Sequence, residues 1–338
     1  MTRATSPILR GGYLILLGLA GLITACTGTI TTSQTQAKPT AYPIIIAHRG
    51  ASGDRPEHTL EAYQLAIEQG ADFIEPDLVM TKDGVLIARH DRYLSTTTNV
   101  IDHPEFAGRR RRVETPFGSR EDWWAEDFTL AEIKTLRARQ PFPGRSIEYD
   151  DQFEIPTFDE VLALVTAEAG KGRTVGVYPE TKSPSHHESI GLAMDGPLLS
   201  ALDAADIANV DIPIFIQSFE AGILRELNMR SDWPLIQLVS GDPRAAAAGY
   251  EPSVSDIAAY ADGIGPNKRL LWSDRGEPST LLAEAKSLGL QIHPWTIRDD
   301  RIGAGYDTVE DELAALFALG VDGVFTDFPA TAARVRDQ

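Results

Sequence analysis

From Pro43 onward the chain alternates short, strongly apolar runs with longer stretches whose apolar positions recur at helical spacing. Nine runs stand out: PIIIAH, DFIEPDLVM, VLIARH, TVGVYPE, IPIFIQS, PLIQLV, ADGIGP, LQIHPW and DGVFTD. Strands alternating with helices over this length predict a parallel sheet, either closed as a barrel or open. Nearly every run ends in a polar, charged or aromatic residue, among them His48, Glu180, Gln217, Trp295 and Asp327. In a (β/α)8 barrel these ends gather at the C-terminal mouth, where that architecture carries its chemistry. An open doubly wound sheet competes, but no glycine-rich dinucleotide fingerprint supports it.

Only Thr81-Lys82-Asp83-Gly84 separates FIEPDLVM from VLIARHD. That is too short for a parallel crossover, so the two runs are expected to form an antiparallel hairpin, with one strand extra to the eight. A two-residue turn at Asp83-Gly84 sets His90 opposite Asp77, and one at Lys82-Asp83 sets it opposite Glu75. Either register puts His90 on one face with both carboxylates. Residues 91–155 then break the rhythm with TTTNVIDHPEFAGRRRRVETPFGSREDWW and a helix-like TLAEIKTLRARQ. They are expected to be an insertion at the barrel mouth. The run Arg109-Arg110-Arg111-Arg112 within them is expected to be a solvated, mobile basic patch.

With 338 residues, 43% of them hydrophobic, the chain can fill one large barrel or two modest domains. Its net charge of −18 argues against duplex nucleic acid and anionic membrane faces as partners. At the N-terminus Arg3 and Arg10 precede the apolar run GGYLILLGLAGLI, which is too short for a comfortable span and gives way to small residues. This is the pattern of a secretory signal over residues 1–25. Ile23-Thr24-Ala25-Cys26 resembles the bacterial lipobox, which implies lipidation of Cys26. As the sole cysteine, Cys26 leaves no intrachain disulfide to form. Thr27 in place of aspartate points, by the same resemblance, to the outer membrane. The chain is thus expected in the cell envelope, facing the periplasm, and touching the membrane only through its lipid. Residues 26–42 are polar and threonine-rich, the composition of a flexible tether, and the folded domain is expected over 43–338.

Glu75 and Asp77 lie two apart on one strand and point the same way, and Glu180 and Lys182 do likewise at the end of a later one. Three carboxylates converging on one mouth repel unless a cation sits between them. Hard oxygen donors suit calcium or magnesium better than zinc. His48 and His90 offer proton transfer near neutrality. Arg49 presents a planar fork suited to two phosphate oxygens, and Lys182 adds a second positive charge. Cation, arginine and lysine together describe a phosphoryl site.

The segments HRGASGDRPEHTLEAY, GADFIEPDLVMTKDGVLIARHD, PETK, QSF, ADGIGP, HPWTI and DGVFTDFP, in this order, resemble the glycerophosphodiester phosphodiesterase family over roughly residues 43–330. The likeness is greatest to the secreted periplasmic branch, which has His in PEHT. It implies a (β/α)8 TIM barrel of the PLC-like phosphodiesterase type with an insertion after the second-strand hairpin. It also implies a divalent cation, usually Ca2+ in secreted members, with Mg2+ the alternative. The implied reaction is hydrolysis of glycerophosphodiesters such as glycerophosphocholine and glycerophosphoethanolamine to sn-glycerol 3-phosphate and an alcohol. By position, His48 and His90 match the family's acid–base pair, and Arg49 its phosphate ligand. Glu75, Asp77 and Glu180 match its metal ligands, and Lys182 a further phosphate contact. Glu57 matches a supporting glutamate. Phe219 and Trp295 match aromatic positions near the substrate channel, with core packing nearly as good a reading for Phe219. Arg89 stands where the family usually has an apolar residue, and by alternation it faces away from His90. Two rival readings use the same residues: a lysophospholipase D-like phosphodiesterase that accepts an acyl chain, and an envelope-anchored binding lipoprotein without turnover. Water and the neighbouring glycerol hydroxyl are both open as nucleophile.

Overall fold

A computed structural model describes residues 42–115, 118–247 and 252–338. The expected signal peptide, Cys26 and all of the tether except Tyr42 lie outside the described residues. In chain order the strands are β1 (Ile44–His48), β2 (Phe73–Glu75), β3 (Asp77–Met80), β4 (Leu86–Ala88), β5 (Arg111–Thr115), β6 (Gly118–Asp122), β7 (Gly176–Val177), β8 (Glu180–Thr181), β9 (Ile216–Ser218), β10 (Leu235–Val239), β11 (Gly263–Pro266), β12 (Gln291–Ile292) and β13 (Gly323–Thr326). Pro76 divides β2 from β3, and Pro179 lies between β7 and β8, because proline gives a ladder no N–H. Each of these pairs is one barrel strand in two pieces.

All barrel pairings are parallel. β1 lies between β13 and β2, β2 pairs with β7, β3 with β8, and β8 through β12 follow in sequence order. A parallel bridge from Ile297 to Thr326 joins the strand of β12 to β13. The pairing thus runs through eight barrel strands and returns to β1, as a (β/α)8 TIM barrel requires. Helices such as Leu60–Glu68, Phe158–Gly170 and Ala221–Arg230 follow their strands. Their starts are written locally: Thr59 caps the first, and Thr157 with Glu160 forms a capping box on the second.

Alternation along the strands sorts the two faces. Ile45, Ala47, Ile74, Val177, Ile216, Ile264 and Val324 join the large core between strands and helices. Residues of the opposite parity, Ile44, Ile46, Phe73, Tyr178, Phe215, Ile236 and Phe325, fill the barrel interior as a separate cluster. The interior rings pack closely, with Tyr178 5.0 Å from Phe325 and 5.1 Å from Phe215 between centroids. Gly176 makes room for them: a Cβ there would stand 2.2 Å from the Phe73 ring.

The hairpin of β3 and β4 is antiparallel as the short connection requires, but its register differs from both expected ones. Leu78 faces Ala88, Val79 faces Ile87 and Met80 faces Leu86, while the Arg89 N–H donates to the Asp77 carbonyl at 2.8 Å. The cause is a three-residue turn, Lys82-Asp83-Gly84, closed by Thr81 N–H to Val85 O at 2.9 Å, with Gly84 at φ 81°. Arg89, not His90, therefore stands opposite Asp77. His90 lies beyond the end of β4, so strand alternation does not govern where it points.

Residues 91–155 form a substructure between β4 and the helix Phe158–Gly170. The β5–β6 hairpin and short helical turns enclose an apolar cluster of Leu94, Val100, Phe106, Trp123, Phe128, Ile133 and Leu136 that reaches Val79 and Ile87 of the barrel hairpin. The arginine run is not a free patch. Arg109 makes a bidentate pair with Glu132, Arg111 pairs with Asp127 and Glu126, Arg112 with Glu121, and Arg110 lies over the Trp123 ring. Acids of the same segment thus pair with Arg109, Arg111 and Arg112, the last two of which lie in β5.

Candidate active site

The interior parity that begins apolar ends polar at the C-terminal mouth. Ile44 and Ile46 lead to His48, Phe73 to Glu75, Tyr178 to Glu180 and Lys182, Phe215 to Gln217 and Phe219, and Phe325 to Asp327. Register aligns the tiers: His48 is level with Glu75, Asp77 with Glu180, and Glu180 with Gln217. A cavity of about 190 Å3 at this mouth is lined by His48, Arg49, Glu75, His90, Glu180, Lys182, Phe219 and Trp295, together with Gln217 and Arg298. The structure thus brings together all the predicted barrel residues. Asp77, 1% exposed, is behind the cavity wall.

Glu75, Asp77 and Glu180 each offer an oxygen within 4.8 Å of the others. Burial, then repulsion from Asp77 and Glu180, raises the Glu75 pKa well above the ordinary carboxylate range. Burial likewise pushes Glu180 up to about 8, with Asp77 adding to the effect and Lys182 opposing it. Asp77 goes the other way: burial would raise it, but the Lys182 charge, with His90 and His58, outweighs that and holds it well below the ordinary carboxylate range. Three clustered acids, two of them pushed up, fit a divalent cation. The orphaned oxygens agree, since Asp77 Oδ1 and Gln217 Oε1 are buried without a hydrogen-bond donor. The donors are all hard oxygens, which suits calcium or magnesium.

Around this set stands a cationic rim. The Arg49 backbone N–H donates to Glu75 Oε2 at 2.8 Å, and its guanidinium reaches Glu57 Oε2 at 3.0 Å and Asp77 Oδ2 at 3.3 Å. Glu57 thus supports Arg49 from outside the cavity. Arg49 sits at φ 61°, a left-handed conformation uncommon for a side-chain-bearing residue and often found where geometry is functional. Lys182 Nζ lies 2.8 Å from Glu180 and 3.6 Å from Asp77. Phe219 and Trp295 meet edge to face at 5.8 Å in the cavity lining, with Lys182 Nζ 5.6 Å from the Phe219 ring centroid, so Phe219 is a wall residue rather than interior packing.

Both histidines that line the cavity carry a carboxylate on Nδ1. The His48 Nδ1–H donates to Asp327 Oδ1 at 2.7 Å, and the His90 Nδ1–H donates to Asp91 Oδ1 at 3.0 Å. A carboxylate can only accept, so Nε2 is the free nitrogen in each ring. Burial, then the Arg49 charge, lowers His48 to about 4 in spite of Asp327. Arg89 is not among the residues that line the cavity: it is 1% exposed and donates to Thr97 Oγ1.

Two partners escaped the sequence reading. His58, fully buried, donates from Nε2 to Asp77 Oδ2 at 2.9 Å while Nδ1 accepts from the Tyr63 hydroxyl at 2.8 Å. Asp327 is the buried partner of His48. Asp327 did carry a signal, a charge at the end of an apolar run, but a strand end alone does not say which side chain it meets. His58 sits on a loop, where no periodicity applies.

Fold and site define a class: a (β/α)8 barrel whose mouth gathers a carboxylate set able to hold a divalent cation beside Arg49 and Lys182. Residues 48–331 match the glycerophosphoryl diester phosphodiesterase family, and the chain belongs to it. A glycerophosphodiester phosphodiesterase of Arabidopsis thaliana is 37% identical over 322 residues, spanning 86% of this chain and 84% of that one. Another, from Haemophilus influenzae, is 31% identical over 356 residues, spanning 92% and 94%. Among solved structures, an Oleispira antarctica phosphodiesterase in complex with the product sn-glycerol-3-phosphate superimposes with a TM-score of 0.62 at 22% identity, covering 88% of this chain and 98% of that one. A glycerophosphodiester phosphodiesterase of Agrobacterium tumefaciens does so with a TM-score of 0.58 at 22% identity, covering 86% and 99%.

Proposed function

We propose that this protein hydrolyses glycerophosphodiesters to sn-glycerol 3-phosphate and an alcohol, with a divalent cation at its carboxylate set. The observation that carries this reading is the gathering of a three-carboxylate set, Arg49 with Lys182, and two Nδ1-anchored histidines at one barrel mouth. Arg49 and Lys182 grip the anionic oxygens of the diester. Glu75, Asp77 and Glu180 would hold the cation, Ca2+ first and Mg2+ second, which when bound would supply electrostatic stabilisation of charge on phosphorus-bound oxygen. His48 is held neutral with Nε2 free, the state of a general base, and takes the proton of the attacking oxygen. His90 returns a proton to the leaving alkoxide as its bond to phosphorus breaks. Phe219 and Trp295 form the apolar wall against which the organic part of the substrate lies. The order of Arg3, Arg10, the apolar run and Cys26 supports an envelope lipoprotein anchored through Cys26 and facing the periplasm.

The decisive experiment measures product release from glycerophosphocholine and from lysophosphatidylcholine, before and after exhaustive chelation. Turnover of glycerophosphocholine, abolished by chelation and restored by Ca2+, is expected. Preferred turnover of lysophosphatidylcholine would replace this reading with a lysophospholipase D activity. Tight binding of either without product would make the chain a binding lipoprotein.

A further inference from the structure

The base assignment for His48 leaves open what fixes its ring. Asp327 does so directly, and Asp327 in turn is held by two guanidinium groups. Its Oδ2 accepts from Arg298 Nε at 2.7 Å and from Arg145 Nη2 at 2.6 Å, while Oδ1 accepts from His48. Arg298 belongs to the barrel mouth, but Arg145 comes from the 91–155 segment, of which the proposed reaction otherwise uses only Asp91, the partner of His90. Its side chain is 3% exposed, and its donors are committed on several sides. Nε donates to Asp300 Oδ2 at 2.7 Å, Nη2 to Asp300 Oδ1 at 3.2 Å as well as to Asp327, and Nη1 to the Ser52 carbonyl at 3.1 Å. Ser52 closes the circuit, because its hydroxyl donates to the His48 carbonyl at 2.8 Å. Gln140, also of the 91–155 segment, donates to the same Ser52 carbonyl at 3.0 Å.

We infer that Arg145 is a positioning residue for His48, acting through Asp327 and Ser52, and that the 91–155 segment is thereby a working part of the active site. The inference rests on the reading of His48 as the general base. A planar fork serves this place because one group must face Asp327, Asp300 and a backbone carbonyl at fixed angles. Lysine gathers its three donors on one nitrogen and lacks the spread of Nε, Nη1 and Nη2 over which Arg145 makes its four bonds. Arg145 stands one residue removed from the reacting atoms, so its loss should disturb the geometry of proton transfer while leaving the phosphate grip of Arg49 and Lys182 intact. Displacements of this kind cost up to about 100-fold in rate.

The test compares Arg145→Ala and Arg145→Lys with wild type on glycerophosphocholine in saturating Ca2+, with folding followed by circular dichroism. Arg139→Ala, which breaks the pairs of Arg139 with Asp102 and Asp151 in the same segment, is the control. We expect Arg145→Ala to lose roughly 10- to 100-fold in kcat with KM little changed. Free guanidinium ion should restore part of that loss, and Arg139→Ala should keep wild-type kcat. Wild-type kcat in folded Arg145→Ala, a loss in KM alone, or an equal kcat loss in Arg139→Ala would overturn the inference. If Arg145→Ala does not fold, Arg145→Lys decides: reduced kcat at unchanged KM supports positioning, and wild-type kcat refutes it. His48→Ala separates the two claims. If it retains full activity, the base assignment fails; if it is inactive while both Arg145 variants match wild type, only the role of Arg145 does.

Discussion

At the scale of single residues, the site depends on neutral partners that hold its charged members in one rotamer. His58 is one. Burial lowers its pKa to about 4 against the pull of Asp77, so it stays neutral, with the Tyr63 hydroxyl fixing which nitrogen carries the proton. The Asp77 carboxylate is thus tied by one oxygen, leaving Oδ1 for a cation. Removing the tie in His58→Ala should weaken Ca2+ binding by about 10- to 100-fold, the usual worth of a partner behind a metal ligand. Calorimetric titration with Ca2+ reads this directly. His58→Asn keeps a donor and tolerates the left-handed backbone at φ 57°, so it should lose less. An unchanged affinity in His58→Ala would mean that Asp77 is held by its strand alone. The two histidines of the cavity separate by leaving group. Either alanine variant should cost on the order of 10²–10⁴-fold on glycerophosphocholine. With glycerophospho-p-nitrophenol, whose leaving group departs unprotonated, His90→Ala should recover and His48→Ala should not. The opposite pattern would exchange their roles.

Among the elements, the 91–155 segment is the one whose attachment can be measured. Glu126, within it, accepts from Arg92 of the same segment at 2.5 Å and lies 3.2 Å from His186 on the helix Pro184–Ser189 that follows β8. Burial would raise its pKa, but the His186 hydrogen bond and the Arg92 charge outweigh that and bring it from 4.5 down to about 2. A carboxylate depressed by folding stabilises the native state above its unfolded pKa, and that stability is lost as pH falls through the folded value. The contribution is on the order of 3 kcal/mol, present at neutral pH and lost between about pH 4.5 and pH 2. Tm measured against pH should therefore show wild type above Glu126→Gln at pH 7 and converging with it near pH 2. Parallel curves over that range would remove Glu126 from the attachment. This segment also marks where the sequence stopped being legible. The barrel and the placement of His48, Glu75 and Glu180 followed from period-two alternation, because a closed barrel turns alternate residues into one shared interior. Asp77 and Lys182 followed by the same rule. The register of β3 and β4 did not, since Gly84 allows a three-residue turn as readily as a two-residue one, and one residue of slip reverses every pairing. The arginine run looked free because its acids, Glu121, Glu126, Asp127 and Glu132, become neighbours only once β5 folds back on β6. Arg145 was invisible for the same reason: its partner Asp327 is 182 residues away.

For the molecule as a whole, the proposed anchor and the chemistry belong to different parts of the chain. The chain enters β1 at Ile44, the N-terminal end of its strand, whereas the cavity opens where the strands finish. No helix among the described residues is long and apolar enough to cross a membrane. The net charge of −18 also gives the body no electrostatic attraction to anionic lipid. The proposed envelope anchor rests instead on the order of Arg3, Arg10, the apolar run and Cys26, the sole cysteine. The proposed anchor on Cys26 separates location from catalysis. Cys26→Ser should leave the protein in the soluble fraction of the periplasm or medium, while kcat on glycerophosphocholine, a soluble diester, and the Ca2+ requirement stay those of wild type. Metabolic labelling with palmitate should mark wild type and not the variant. A wild-type protein that takes up no label, or a Cys26→Ser protein that remains with the membrane fraction, would show that the anchor is not the lipid on this cysteine. A released variant with lowered kcat would instead show that the segment before Pro43 contributes to the barrel.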